Sequence, residues 1–118
     1  MLTYWKNGQA PSAPFFAVIF VSKKTDELEG YAAMDDLLMN EAQKQMGFLG
    51  YSSVSNSEGG IFISYWASRE AIDIWRKHTD HQVAKQKAPR QWYQYYLSII
   101  SEVSSVREFH KNIQAMAE

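Results

Sequence analysis

The sequence predicts an α+β domain in which one antiparallel sheet carries two helices on a single face. Three observations support this fold class. Segments rich in β-branched and aromatic residues alternate with amphipathic segments in the order β-α-β-β-α-β. A glycine-containing turn joins the two middle strands. With 118 residues, the chain has room for one hydrophobic core.

The first half of the chain contains a strand, a helix and a second strand. Residues 15–22 are β-branched and aromatic, which favours a strand. Residues 30–46 are predicted to be helical because apolar side chains recur every three or four positions, at Tyr31, Met34, Leu38, Ala42 and Met46. The acidic residues of this helix, Glu41 among them, are expected on its other side. Gly47 is expected to cap the helix, and a strand is expected over 48–54.

A hairpin and a second helix follow. The turn at 56–60 reverses the chain into a strand over 61–66. Ser68 is a favourable N-cap because its hydroxyl can accept a hydrogen bond from an N–H of the first turn. The helix is expected to run at least to Lys77, with Trp75 on its inner side.

The last part of the domain is a long strand. Pro89 ends the preceding helical segment, and the strand is expected to begin at Trp92 and to end at Val103 or Val106. The domain therefore spans 15–106, between an irregular N-terminal arm (1–14) and a tail (107–118) that could form a short helix. This order of elements is ferredoxin-like, with four strands and helices on one face.

The predicted strands are apolar on both faces. In the first strand Phe16, Val18 and Phe20 alternate with other apolar residues, namely Phe15, Ala17, Ile19 and Val21. A sheet with one face in water should instead alternate apolar and polar residues. The second face therefore requires a cover, and we predict a homodimer in which two sheets face each other.

The composition of the chain excludes several classes of binding partner and of catalytic chemistry. The net charge is −1, which argues against nucleic acid or an anionic membrane as the main partner. The chain has no cysteine, so thiolate catalysis and cysteine metal sites are excluded. No secretory signal or membrane-spanning segment is visible, and a cytoplasmic location is expected.

Several motifs resemble the antibiotic biosynthesis monooxygenase-like family of dimeric α/β barrels. They are Gly47-Phe48-Leu49-Gly50, then Tyr65-Trp66-x-Ser68-x-Glu70-Ala71 leading to Trp75, then His78 and His81, and finally Arg90-Gln91-Trp92-Tyr93. The resemblance implies a homodimeric, cofactor-free oxygenase that uses molecular oxygen on a phenol, hydroquinone or polyketide-like small molecule. A related branch of the superfamily cleaves haem.

The candidate catalytic residues are two histidines. His78 lies three residues after Trp75, so a continuous helix would place both on one face. His78 or His81 could remove a proton from a phenol near neutral pH. The alternative is a histidine exposed at a fraying helix end. As a metal site the pair lacks a convincing third ligand, and no metal is predicted.

The candidate substrate-binding residues are aromatic or basic. Trp66, Trp75 and Trp92 would form walls around a ring, and Tyr65 could line the same pocket. Aromatic residues at such positions are also typical of a core or an interface. Arg90 could bind an anionic oxygen, or it could be a surface residue beside a proline turn. The other basic residues here are interpreted mainly as a solvated helix face: Arg76, Lys77, Lys85 and Lys87.

Two further hypotheses remain at this stage. The separation of Trp66 and Trp75 resembles the haem-degrading branch, but that branch also uses a histidine near position 84 or 85 and an asparagine in the first strand. The chain has Ala84 and Lys85 there, and its first strand has no asparagine. The remaining hypothesis is a non-catalytic dimer that binds a hydrophobic small molecule.

Overall fold

The computed structural model describes residues 2–84 and 89–111, with side chains for all of these except 81–84 and 89–90. The described elements, in chain order, are β1 (Thr3–Trp5), β2 (Phe15–Lys24), α1 (Tyr31–Gln43), β3 (Phe48–Ser55), β4 (Gly59–Trp66), α2 (Arg69–Ala84), α3 (Pro89–Trp92) and β5 (Tyr93–Val103). Neither of the longer helices in these ranges is long and apolar enough to cross a membrane.

All the strands join one antiparallel sheet in the order β1-β3-β4-β2-β5. The predicted α+β class is confirmed, but the prediction of four strands was wrong because the sheet has five. The additional strand, β1, belongs to the arm that the sequence indicated as irregular. Trp5 is paired with Gly50, where any Cβ would collide with the Tyr4 carbonyl. Glycine at this position therefore lets the arm approach and pair with β3.

Helix α1 is shorter than the apolar spacing predicted. It ends at Gln43, and the backbone then tightens, because Lys44 N–H donates to the Glu41 carbonyl at 3.2 Å. Met46 consequently lies outside the helix and is 92% exposed, so its predicted place in the apolar stripe was wrong. Gly47 has a φ of 87°, and a Cβ there would lie 2.7 Å from that of Ala71. This glycine allows the chain to pass close to α2.

Helix α2 begins as the sequence predicts. The N–H of Ala71 donates to Ser68 Oγ at 3.0 Å, which confirms the N-cap. The helix continues to Ala84, so it extends well beyond Lys77 and keeps His78 within regular helix. Ile72, on the inner side of this helix, is fully buried.

The start of the last strand differs from the prediction. Trp92 ends the short helix α3, and β5 begins at Tyr93. Pro89 suits the first position of a helix because its missing N–H has no intrahelical partner there. The Trp92 indole is buried and donates to the Glu29 carbonyl at 2.9 Å, while the Trp92 carbonyl accepts from Thr25 N–H at 2.8 Å. These bonds hold Trp92 against the loop before α1.

The helices cover one face of the sheet. The buried cluster between the two layers contains Ala42, Phe48, Trp66, Ala71 and Ile72. The opposite face carries exposed apolar side chains from three strands, with exposed fractions of 62% for Val54, 49% for Ile61, 54% for Tyr95, and 41% for both Leu97 and Ile99. The predicted two-sided apolar sheet is therefore present.

The tail returns to the N-terminal arm. The Glu108 carboxylate accepts hydrogen bonds from Trp5 Nε1 at 2.8 Å and from Ala10 N–H at 3.0 Å. These bonds lower the pKa of Glu108, with the backbone N–H of Ala10 as the largest cause. Residues 104–110 have no regular structure, and the rest of the predicted tail helix, 112–118, lies outside the described residues.

Candidate functional site

Three of the predicted site residues stack on one another between the sheet and α2. The ring centroids of Trp66 and Trp75 lie 5.8 Å apart with an interplanar angle of 27°, and those of Trp75 and His78 lie 5.5 Å apart at 23°. We call these three residues the aromatic ladder. Trp66 is fully buried at the end of β4, and its Nε1 donates to Ser64 Oγ at 2.8 Å. The ladder therefore begins in the core and ends at an imidazole.

His78 has a buried nitrogen without a hydrogen-bond partner. Its Nε2 atom is solvent-inaccessible and lies 3.9 Å from Oε2 of Glu41. This distance is too long for a hydrogen bond, although it is within the range of an ion pair. Glu41 and His78 are each about 70% shielded, with side chains 28% and 30% exposed. An imidazole stacked on an indole and facing a carboxylate is suited to hold or release a proton.

Glu41 was not predicted as a site residue. The helical spacing of α1 indicated that it lies on the polar side of that helix. The structure instead places it at the boundary with α2, next in sequence to buried Ala42. Its contact with His78 joins residues 37 positions apart, so no local spacing could have revealed it.

Tyr65 does not join the ladder. It precedes Trp66 in β4 and therefore lies on the opposite face of the sheet. Its ring lies 4.6 Å from that of Trp5 and 6.0 Å from that of Phe15. Its hydroxyl is 2.8 Å from Ser52 Oγ, which is in turn 2.8 Å from Thr3 Oγ1. Tyr65 thus helps to bind the arm to the sheet.

Trp92 belongs to a second aromatic cluster at the N-terminal end of α1. Its ring meets that of Tyr31 edge to face at 5.5 Å, and Tyr31 meets Tyr93 at 6.0 Å. Burial raises the pKa of Tyr93, and its hydrogen bond with Tyr31 raises it further. Burial is also the main cause of the raised pKa of Asp35. Burial therefore disfavours the charged form of both groups.

One exposed basic residue of α2 also contacts the sheet. Arg76 Nη2 donates to Ser98 Oγ of β5 at 3.0 Å. The two other predicted polar site residues are described only by their backbone. His81 lies within α2 and Arg90 within α3, but their side chains lie outside the described part of the structure.

No group of three His, Asp or Glu side chains among the described residues is arranged to hold a metal ion. His78 is the ladder's candidate axial ligand for a haem, and its Nε2 is buried beside Glu41.

A depression lies away from the ladder. It has a volume of about 530 Å³ and is lined by the arm and the tail, including Gln9, Pro11, Val106 and Glu108. None of its lining residues belongs to the ladder, and the depression is open to solvent. The depression lies where the arm and the tail meet.

The comparisons with known proteins agree with this architecture. The family model for antibiotic biosynthesis monooxygenases matches residues 14–87, which is more than half of the chain. The chain belongs to the antibiotic biosynthesis monooxygenase family. The matched range contains the whole aromatic ladder and ends before β5 begins.

One curated relative is similar over most of its length. The uncharacterised protein YqjZ of Bacillus subtilis (strain 168) is 41% identical over 105 residues, which cover 88% of this chain and 92% of YqjZ. This level of identity supports the family assignment. YqjZ is uncharacterised, so the similarity indicates no activity.

Solved structures share the fold at low sequence identity. PA3566 from Pseudomonas aeruginosa has a TM-score of 0.61 and 13% identity, covering 83% of this chain and all of the other. SnoaB from Streptomyces nogalater, a cofactor-independent oxygenase, has a TM-score of 0.57 and 11% identity, covering 81% and 97%. These structures therefore share the fold of this chain.

Proposed function

We propose that the chain is a homodimeric, cofactor-independent monooxygenase that acts on an aromatic or quinol-type small molecule, with His78 as the general base. One observation carries the proposal. The aromatic ladder ends in an imidazole whose Nε2 faces the Glu41 carboxylate at 3.9 Å. A carboxylate beside one ring nitrogen favours a proton on that nitrogen, which leaves the other nitrogen as the acceptor for a substrate proton. The similarity to SnoaB, a cofactor-independent oxygenase, supports the same class.

The chemistry requires a base and a dry aromatic surface. Nε2 of His78 is directed to Glu41, so Nδ1 is the nitrogen left to accept the proton of a substrate O–H. The O–H bond breaks and an N–H bond forms. The substrate anion then reduces molecular oxygen by four electrons overall. The substrate loses two hydrogens and gains one oxygen atom, as when a CH2 group becomes a carbonyl, and the second oxygen atom leaves as water with those two hydrogens. Trp75 would hold the ring beside the base and exclude solvent.

The homodimer is proposed from the uncovered sheet face. Large apolar side chains of β3, β4 and β5 are between about two-fifths and three-fifths exposed on that face. A contiguous apolar patch of this kind is typical of an interface. Pairing two identical sheets would bury it and would leave the ladder, on the helical face, accessible to a ligand.

Oxygen consumption by metal-free protein tests the proposal. Quinols and anthrones are supplied to the wild type and to His78→Gln, with oxygen uptake and product formation as readouts. We expect His78→Gln to lower the rate about a hundredfold, which is typical for a lost general base. His81→Gln is measured in parallel because both histidines are candidates.

The matched control is His110→Gln. His110 lies in the tail, 3.4 Å from Glu108, and should leave the rate unchanged. Uptake that persists unaltered in His78→Gln would contradict the assignment of the base. Tight aromatic binding without turnover would instead favour the non-catalytic binding dimer.

A further inference from the structure

We infer that Arg76 and Ser98, together with the stacked rings of Phe20 and Tyr96 on the same face of the sheet, form a binding site for a flat aromatic ligand that carries an acidic group. As the ligand class for the same helical face, this inference rests on the proposed function. Its test is a binding measurement, so the two can fail separately.

Arg76 provides the charge. It follows the ladder residue Trp75 in α2, and its Nη2 donates to Ser98 Oγ at 3.0 Å. Ser98 is paired with Phe20, and paired residues place their side chains on the same face of a sheet. The guanidinium has five N–H donors, and among the described residues none of the ion pairs includes Arg76. Most of its hydrogen-bonding capacity is therefore available to a ligand.

Phe20 and Tyr96 provide the surface for a ring. Their rings are stacked with centroids 5.5 Å apart and an interplanar angle of 25°. Tyr96 is 62% exposed although it is a large aromatic residue. Tyr93 meets Phe20 edge to face at 5.5 Å and closes one end of this surface. A flat ligand can lie on the exposed part of the pair.

The surface is continuous with the aromatic ladder. Ile100 is paired with Val18, and both pack against the core cluster together with Trp75. Helix α1 packs on β3, α2 on β4 and the short helix α3 on β5, yet on the half of the sheet formed by β2 and β5 the side chains of Tyr96 and Ser98 are exposed. A ligand on that half would reach Arg76 at one side and Trp75 at its inner end.

The chemistry of these groups selects the ligand class. A guanidinium binds a carboxylate through two parallel hydrogen bonds. A neutral ring would gain only the weaker cation–π contact with Arg76. The structure therefore favours an aromatic acid over a neutral aromatic compound of the same size.

Equilibrium binding of two matched probes tests this inference. Binding of 1-hydroxy-2-naphthoate and of 1-naphthol is followed near neutral pH by calorimetry and by quenching of tryptophan fluorescence. We expect the wild type to prefer the acid. Arg76→Gln should weaken binding of the acid about tenfold or more, and should change that of the neutral naphthol less than about twofold. Ser98→Ala should weaken binding of the acid by a smaller factor.

Lys77→Gln is the matched control. It removes one positive charge from the adjacent position of α2, so it reproduces any general electrostatic effect. Equal losses in Arg76→Gln and Lys77→Gln would overturn the inference, as would equal losses for the two probes or the absence of saturable binding of the acid. If Arg76 governs binding of the acid but no oxygen is consumed, the ligand site stands and the proposed oxygenase fails.

Discussion

His78 Nε2 lies 3.9 Å from Glu41 Oε2, and this contact connects α2 to α1 at the end of the aromatic ladder. The imidazole plane is already restricted because His78 stacks on Trp75. A carboxylate beside one ring nitrogen favours the tautomer that carries its proton on that nitrogen. Glu41 is therefore a positioning residue for the proposed base, and the contact should shorten when the ring takes up a proton.

Replacing Glu41 should alter the tautomer of His78 even without a substrate. We expect the wild type to be mainly the Nε2–H tautomer, and Glu41→Ala to give a mixture, measured by imidazole ¹⁵N chemical shifts. The same variant should lower kcat roughly tenfold to a hundredfold with little change in KM, as is seen when an orienting partner is lost. Asp36→Asn, a change on the exposed side of α1, is the control. An unchanged tautomer in Glu41→Ala would refute the positioning role.

The two tryptophans of the ladder should differ in their effects on stability. Trp66 is fully buried and packs edge to face on Phe48 at 5.5 Å, so Trp66→Ala should cost about 3–5 kcal/mol in unfolding free energy. Trp75 is only partly buried, and Trp75→Ala should cost about 1–2 kcal/mol while it weakens binding of aromatic ligands. Urea unfolding and ligand titration measure the two effects. Equal destabilisation by both variants would mean that Trp75 acts only by packing in the hydrophobic core and not by binding a ligand.

The fold could be predicted from sequence wherever the pattern extended over a full element. Strand β2 and helix α2 have long apolar repeats, and a capping serine marks the start of α2, so their predicted positions agree with the structure. Strand β1 has three residues, which is too short for a periodic signal. Its pairing depends on Gly50 in a strand more than 40 residues away.

Only the part of the site that lies on helix α2 could be predicted from the sequence. Trp75 and His78 are three residues apart, and that spacing placed them on one face once α2 was continuous. Glu41 and Ser98 contact α2 from other elements, and contacts between distant segments leave no spacing in the sequence. Arg76 was therefore interpreted as solvated, because a basic residue at the flank of a helix looks the same whether it points to water or to a sheet.

The exposed sheet face should control the oligomeric state. Ile61 lies on that face and is 49% exposed, and Ile61→Lys should convert the proposed dimer into a folded monomer because it places charges in an apolar interface. Ile74→Lys is the control, since Ile74 is 55% exposed on helix α2. Sedimentation velocity measures both variants. A wild-type monomer at micromolar concentration, or a monomer produced by both variants, would contradict the proposed interface.

Tyr93 should make the protein sensitive to alkali. Burial, followed by the hydrogen bond with Tyr31, raises the pKa of Tyr93 in the folded state above its usual value of about 10. A group whose pKa is raised in the folded state contributes its full stabilisation at pH values below its unfolded-state pKa. This stabilisation is lost as the pH rises from there through the folded-state pKa. We therefore expect Tyr93→Phe to lose less stability than the wild type between about pH 9 and 11, because the variant has no phenol to ionise. Melting temperatures across this range measure the difference.

Tyr95→Phe, which alters a residue that is 54% exposed, is the control. Parallel curves for the wild type and Tyr93→Phe would show that the Tyr93 phenol is not held neutral by burial.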